Sequence, residues 1–147
     1  MVGRTERGFV GEGVAHYLER AGHWTKVEQT VVPASGSKDP RLQRKEEEQA
    51  LLKALPAVGK VVALDETGER LDSAAFARKL GAWRDQGTRE VTFIIGGAFG
   101  LTDPVRERAD LVLSLSPMTF PHQLVRLLFA EQLYRAWSLV HGTGYHH

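Results

Sequence analysis

Three short apolar runs that do not alternate with polar residues constrain this chain most. Lys60–Leu64 (KVVAL), Val91–Ile95 (VTFII) and Leu111–Leu115 (LVLSL) place apolar side chains on consecutive positions. A strand with one wet face alternates apolar and polar residues. A strand covered on both faces does not, and that pattern belongs to parallel sheets. Helical spacing fills the segments between the runs, so the class expected is α/β, an open, mostly parallel sheet with helices on both faces. A fourth run, Lys26–Val32 (KVEQTVV), is β-branched, ends at Pro33 and reads as a further strand.

The helical segments carry their own punctuation. Glu6–Ala21 holds Phe9, Val10, Val14, Tyr17 and Leu18 on one face, and Gly22 stops it. Lys38–Glu48 has eight charged residues in eleven and runs into Ala50, Leu51, Leu52, Ala54 and Leu55, as the polar start of a helix does. Asp65-Glu66-Thr67-Gly68 reads as a turn that closes its strand. Ser73 reads as the cap of a helix running to about Gln86, with Phe76, Leu80 and Trp83 on one stripe. Thr102 caps a short helix with Pro104 in its first turn. Pro121 to about Val140 is the longest helix, and His141–His147 is a tail.

Length and composition narrow the function. The 147 residues suit one domain, residues 1–147, that buries about two-thirds of its unfolded surface. No apolar run approaches the length that spans a bilayer. No basic segment precedes an apolar one at the start, so a secretory leader is not expected and the compartment expected is the cytoplasm. With no cysteine, a disulfide scaffold, a thiolate metal site and a cysteine nucleophile are excluded. Nineteen basic against eighteen acidic residues give no net-charge argument for nucleic acid, so any such contact must come from local patches.

In open α/β sheets ligands bind beyond the carboxyl ends of the strands. Three strand ends are unusual here: Leu64-Asp65, Gly96-Gly97-Ala98-Phe99-Gly100, and Ser114 to Phe120. The glycines permit either a ligand against bare backbone or a tight strand-to-helix turn. They match neither a dinucleotide nor a Walker fingerprint. Leu115–Phe120 contains no Lys or Arg, so it suits an uncharged aromatic ring better than a polyphosphate, or else is an ordinary buried connection. The longest helix is apolar nearly all round, with only Arg126, Glu131 and Arg135 charged, so a two-fold dimer is expected, or else a central helix in a monomer. Glu131 and Arg135 stand four apart and can pair. The tail residues His141, Tyr145, His146 and His147 read as proton carriers or as a frayed end, and their spacing makes no metal site.

Three motifs in order carry a resemblance. Phe93-Ile94-Ile95-Gly96-Gly97-Ala98-Phe99-Gly100-Leu101 resembles a strand with a GGxxG turn. Leu113 to Arg126 (LSLSPMTFPHQLVR) resembles an LSxMTFPHxLxR segment. Glu131-Gln132-Leu133-Tyr134-Arg135-Ala136-Trp137 with Tyr145-His146 resembles an EQLYRA…YH ending. Together they resemble the large-subunit rRNA pseudouridine N3-methyltransferase family, of the SPOUT (α/β-knot) class. Weaker likeness reaches back through Val62-Ala63-Leu64-Asp65, Glu46 and Glu48 to Val2-Gly3-Arg4-Thr5.

The resemblance implies a deep C-terminal trefoil knot, a homodimer, and S-adenosylmethionine held by Leu64, by Gly96 and Gly97, and by Leu115, Ser116, Pro117, Met118, Thr119 and Phe120. It implies transfer of a methyl group to N3 of a pseudouridine in 23S rRNA, with no metal and no membrane. Tyr145 and His146 would contact the base, His122 and Arg126 would shape the site, and Arg135 would meet a phosphate or the developing oxyanion. Arg4, Arg7, Lys38, Arg41, Arg44 and Lys45 are candidates for a dimer-dependent RNA patch, or else a solvated charged face. Two departures from the family pattern stand out. Most of an opening apolar strand is expected to be missing before Val2, and Ala98 stands where proline is common. The competing expectations are a knotted methyltransferase with another nucleotide target and a non-catalytic nucleoside- or RNA-binding protein.

Overall fold

The computed structural model describes residues 1–143. Along the chain run α1 (Phe9–Ala21), α2 (Pro40–Ala54), β1 (Lys60–Arg70), α3 (Ser73–Asp85), β2 (Val91–Ile95), α4 (Asp103–Glu107), β3 (Leu111–Ser114) and α5 (His122–Val140). They fall into two compact units. One comprises Met1–Arg4, Gln29–Arg70 and Glu90–His122, and the other comprises Thr5–Glu28, Leu71–Arg89 and the chain from Gln123 onward.

The first unit contains the sheet. Its order is β2-β1-β3, and both pairings are parallel. β1 is the central strand, and its Val61–Leu64 run is buried as double coverage requires. Val61, Val62 and Ala63 are at most 1% exposed. Val2, Val32, Leu51, Val61, Ala63, Ile94, Leu101 and Val105 form one buried cluster, with Leu52, Leu55 and Val112 packed against it. Asp110 fastens the start of β1, accepting from the Val61 N–H at 2.8 Å and from Lys60 Nζ at 2.9 Å.

The expected strand at Lys26–Val32 is not one. Val32 alone pairs, in an isolated parallel bridge with Val2. Val2 in turn donates its N–H to the Ile95 carbonyl at 3.2 Å. β-propensity needs a neighbouring ladder to act on. Lys26 and Glu28 instead make a surface ion pair, and Gln29–Val31 are exposed.

The expected turn at Asp65–Gly68 does not end β1. Leu64 and Glu69 both pair with Leu113, so the residues between them are looped out as a bulge and the strand resumes through Arg70. Asp65 Oδ1 folds the bulge on itself by accepting from the Thr67 N–H at 3.0 Å and the Thr67 hydroxyl at 2.6 Å. The turn chemistry read from the sequence is therefore present, but inside the strand.

Two helix caps differ in detail from expectation. Asp72, not Ser73, caps α3 by accepting from the Ala75 N–H at 2.6 Å; the Ser73 hydroxyl donates to Gln132 Oε1. Thr102 stands at the N-cap of α4 but makes no side-chain cap bond. Asp39 caps α2 ahead of Pro40.

The second unit packs α1 against α5. Val10, Val14 and Ala130 form its buried cluster, joined by Tyr17, Leu18 and Leu127. Gly13 lets the helices approach, since a Cβ there would lie 2.6 Å from Leu127 Cδ1. The Arg20 guanidinium lies 4.2 Å from the Tyr134 ring centroid and donates to its hydroxyl. Trp24 stacks between Tyr134 and His141.

Candidate functional site

The parallel register sets the C-terminal ends of the apolar runs side by side, with Leu64 opposite Ile95 on one edge and Leu113 on the other. The three segments picked from the sequence therefore leave the sheet together, at the edge where open α/β sheets take ligands.

After β2 the chain makes a small closed loop. Gly97 and Gly100 form an isolated antiparallel bridge, with the Gly100 N–H donating to the Gly97 carbonyl at 3.2 Å. Only Gly100 has positive φ, at 73°. Gly96 is needed for space, since its Cβ would lie 3.0 Å from the Gly100 carbonyl carbon and from Leu101 Cδ2. A Cβ on Gly97 would land on Glu47 Oε2.

After β3 the Ser114 hydroxyl donates to the Ser116 carbonyl at 2.9 Å, and Ser116 Oγ accepts from the Met118 N–H at 3.0 Å. These bonds turn the chain within one residue of the strand. Pro117, Met118 and Thr119 are exposed, while Leu115, Ser116 and Phe120 are half-buried.

The β1 bulge ties both loops down. Asp65 Oδ2 accepts from Arg106 Nη1 at 2.9 Å, and that same nitrogen donates to the Leu101 carbonyl at 2.7 Å. Arg106 also pairs with Asp103 at the head of α4. Next along the chain, Glu66 Oε2 accepts from the Thr119 hydroxyl at 2.9 Å. Burial pushes the Asp65 carboxyl up, but the Thr67 donors and the Arg106 guanidinium outweigh it and hold it below the ordinary range. Gly68 completes the bulge by passing hard against β3.

A family model described as "Predicted SPOUT methyltransferase" matches residues 1–146. The chain belongs to that family. Among curated relatives of this SPOUT member, a protein of Desulfotalea psychrophila is 44% identical over 146 residues, covering 99% of this chain and 95% of its own length. One of Rhodospirillum centenum is 45% identical over 145 residues, covering 99% and 94%. One of Paramagnetospirillum magneticum is 55% identical over 107 residues, covering 73% and 70%. Each is named Ribosomal RNA large subunit methyltransferase H.

The structure of this SPOUT chain sets Leu64, Gly96, Gly97 and the Leu115–Phe120 loop at one sheet edge. His122, half-buried, opens α5 within the first unit. Arg126 and Arg135 lie on α5 in the second unit. Arg126 is 1% exposed and donates to the Thr5 hydroxyl at 3.2 Å. Burial lowers its pKa, and Glu6 opposes that shift. Arg135 pairs with Glu131 at 2.6 Å, the helical spacing noted from the sequence. Tyr145 and His146 lie outside the described residues. Arg44 leaves the proposed RNA patch, since its guanidinium is partly buried and donates to the Leu101 carbonyl at 3.3 Å. Arg4, Arg7, Lys38, Arg41 and Lys45 are exposed.

Glu47, Asp65 with Arg106, and Gly68 have structural roles that motif reading did not single out. The signal for Glu47 was present in its spacing. It stands four residues from Leu51 and from Gln43, on the inner face of α2. Among the described residues, no three His, Asp or Glu side chains gather as a metal-binding set, and no helix is long and apolar enough to cross a membrane.

Proposed function

We propose that this chain is a cytoplasmic S-adenosylmethionine-dependent methyltransferase that methylates N3 of a pseudouridine in 23S rRNA. The observation that carries the reading is the alignment at one sheet edge of the β1 bulge and the loops after β2 and β3 in a chain of the SPOUT methyltransferase family. The names of the relatives supply the substrate class, large-subunit ribosomal RNA.

The residues at this edge fit the methyl donor. Gly96 and Gly97 carry no side chain, and the space a Cβ would take is filled by Gly100, Leu101 and Glu47, so a ligand at this edge would meet their backbone. The Leu115–Phe120 loop offers amides and carbonyls and no cation, which suits an adenine ring. Leu64, 8% exposed, supplies an apolar floor. When bound, the sulfonium supplies a methyl group with an excellent leaving group already attached. What remains for the chain is to position the acceptor and to take the N3 proton. Positioning alone supplies several kcal/mol of barrier lowering.

Tyr145 and His146 contact the base, and the proton released as the N3–CH3 bond forms passes to a neutral imidazole, for which His146 is the candidate. His122 and Arg126 shape the site. Arg135, held straight by Glu131, meets a phosphate or the developing oxyanion. The knot and the homodimer of the family belong to the same reading. The second copy suits α5, where Leu124, Val125, Leu128 and Leu139 are only half-buried although apolar. The rRNA is held by Arg4, Arg7, Lys38, Arg41 and Lys45, so binding weakens as salt rises.

Incubation with methyl-labelled S-adenosylmethionine and ribosomes, either pseudouridylated or not, tests the reading. Label confined to pseudouridine of the pseudouridylated large subunit, located by mass spectrometry, is expected. Equal label on both substrates, or label on another nucleotide, overturns it.

A further inference from the structure

Glu47 is a buried carboxylate with no part in the chemistry above. It is 4% exposed, on α2, and among the described residues it is the only buried acidic one. Its Oε1 accepts from the Ser35 N–H at 3.2 Å and from Gln43 Nε2 at 3.1 Å. Both groups donate and neither carries charge, so these two bonds bring no cation to the carboxyl. The other oxygen, Oε2, lies against Gly97, close enough that a Cβ there would strike it. The neighbouring cation on the same helix, Arg44, directs Nη2 to the Leu101 carbonyl.

Burying a carboxylate is costly, and hydrophobic residues would fill the same space at less cost. Pinning one loop does not call for a full charge either. Glu46 already ties that loop by accepting from the Ser35 hydroxyl while remaining exposed. What a buried negative charge behind a bare glycine does provide is a fixed field at the surface where a ligand lies. In water-poor surroundings such a field favours a cation over its neutral counterpart.

Resting on the reading that this edge holds S-adenosylmethionine, we propose that the Glu47 carboxylate is a fixed counter-charge that makes the site prefer the sulfonium donor to the neutral thioether product. Methyl transfer to N3 would remove the positive charge that Glu47 faces, with the N3 proton passing to a side chain of the site. The attraction to Glu47 lapses at the same moment, which favours exchange of spent cofactor for fresh. Glu47 acts through the field and not through bond making, so it is a positioning residue.

The test is calorimetric titration of the whole chain with S-adenosylmethionine, with sinefungin, which carries an ammonium in place of the sulfonium, and with S-adenosylhomocysteine, which is neutral there. Glu47→Gln keeps the shape and removes the charge. It is expected to weaken the two cationic ligands about tenfold and the neutral one less than twofold. Glu47→Asp keeps the charge and is expected to preserve the ratio between ligands even where all three weaken. Glu46→Gln is expected to leave the ratio unchanged. Equal weakening of all three ligands by Glu47→Gln, or no weakening, overturns the proposal and leaves a packing role. If Glu47→Gln does not fold, loss of the ratio in folded Glu47→Asp overturns it. A wild-type chain that binds none of the three refutes instead the cofactor reading beneath it.

Discussion

Replacing Gly68 with alanine should separate β1 from β3 where the bulge rejoins the ladder. A Cβ at Gly68 would stand 2.6 Å from both the carbonyl carbon and oxygen of Val112 and 2.8 Å from the carbonyl carbon of Leu113. These are backbone atoms held in a parallel pairing, so no rotamer change can relieve the overlap. Forcing an extra methyl into packed structure costs typically about 1–3 kcal/mol. Against this, alanine restricts the unfolded chain and returns about 0.4–1 kcal/mol where the backbone accepts it. Gly68 has no positive φ, so the backbone itself raises no objection and sterics alone decide the sign. The net loss is about 1–2 kcal/mol, which lowers Tm by roughly 2–8 °C for a chain of this size. Scanning calorimetry reads it, with Gly36→Ala as the comparison, since a Cβ at Gly36 meets nothing within 4 Å. A Gly68→Ala Tm equal to or above that of Gly36→Ala would show that the close approach to β3 is not what requires glycine.

Gly81→Ala should do the opposite. It lies inside α3, its Cβ would sit 3.7 Å from Val140 Cγ2 in ordinary contact, and helix propensity favours alanine by about 0.5–1 kcal/mol, read as a higher Tm. Asp72→Ala removes the α3 cap and should cost about 1 kcal/mol in a urea titration, whereas Asp72→Asn should cost far less. Asp65 and Asp110 both titrate below the ordinary carboxyl range when folded, Asp65 through Thr67 and Arg106 against the opposing effect of burial, and Asp110 chiefly through Lys60 and then Val61. A depressed folded pKa gives stability that is complete above the unfolded value near 4 and is lost as pH falls through the folded value. Unfolding free energy should therefore drop below about pH 4, and Asp65→Asn should flatten that limb while lowering stability at pH 7 by about 1–3 kcal/mol.

The parallel class was legible because KVVAL, VTFII and LVLSL carry their coverage in their own residues. The meeting of the three segments at one sheet edge was legible for a related reason, since parallel strands all point the same way. KVEQTVV misled because its β-branched residues state a preference that only a neighbouring strand can realise, and Val32 alone meets one. The bulge misled because Asp-Glu-Thr-Gly has the same local chemistry whether the chain reverses or continues. The long-range pairing of Glu69 and Arg70 with Leu113 and Ser114 decides which. Glu47 was hidden in an acidic run whose three members look alike until helix α2 turns one of them inward.

Consecutive residues of the bulge anchor different loops: Asp65 reaches Arg106 and, through it, the Leu101 carbonyl, while Glu66 reaches Thr119. The two loops are thus moored to one post. Lengthening or shortening either loop drags on its opposite number, so sequence change in one has to be matched in the other.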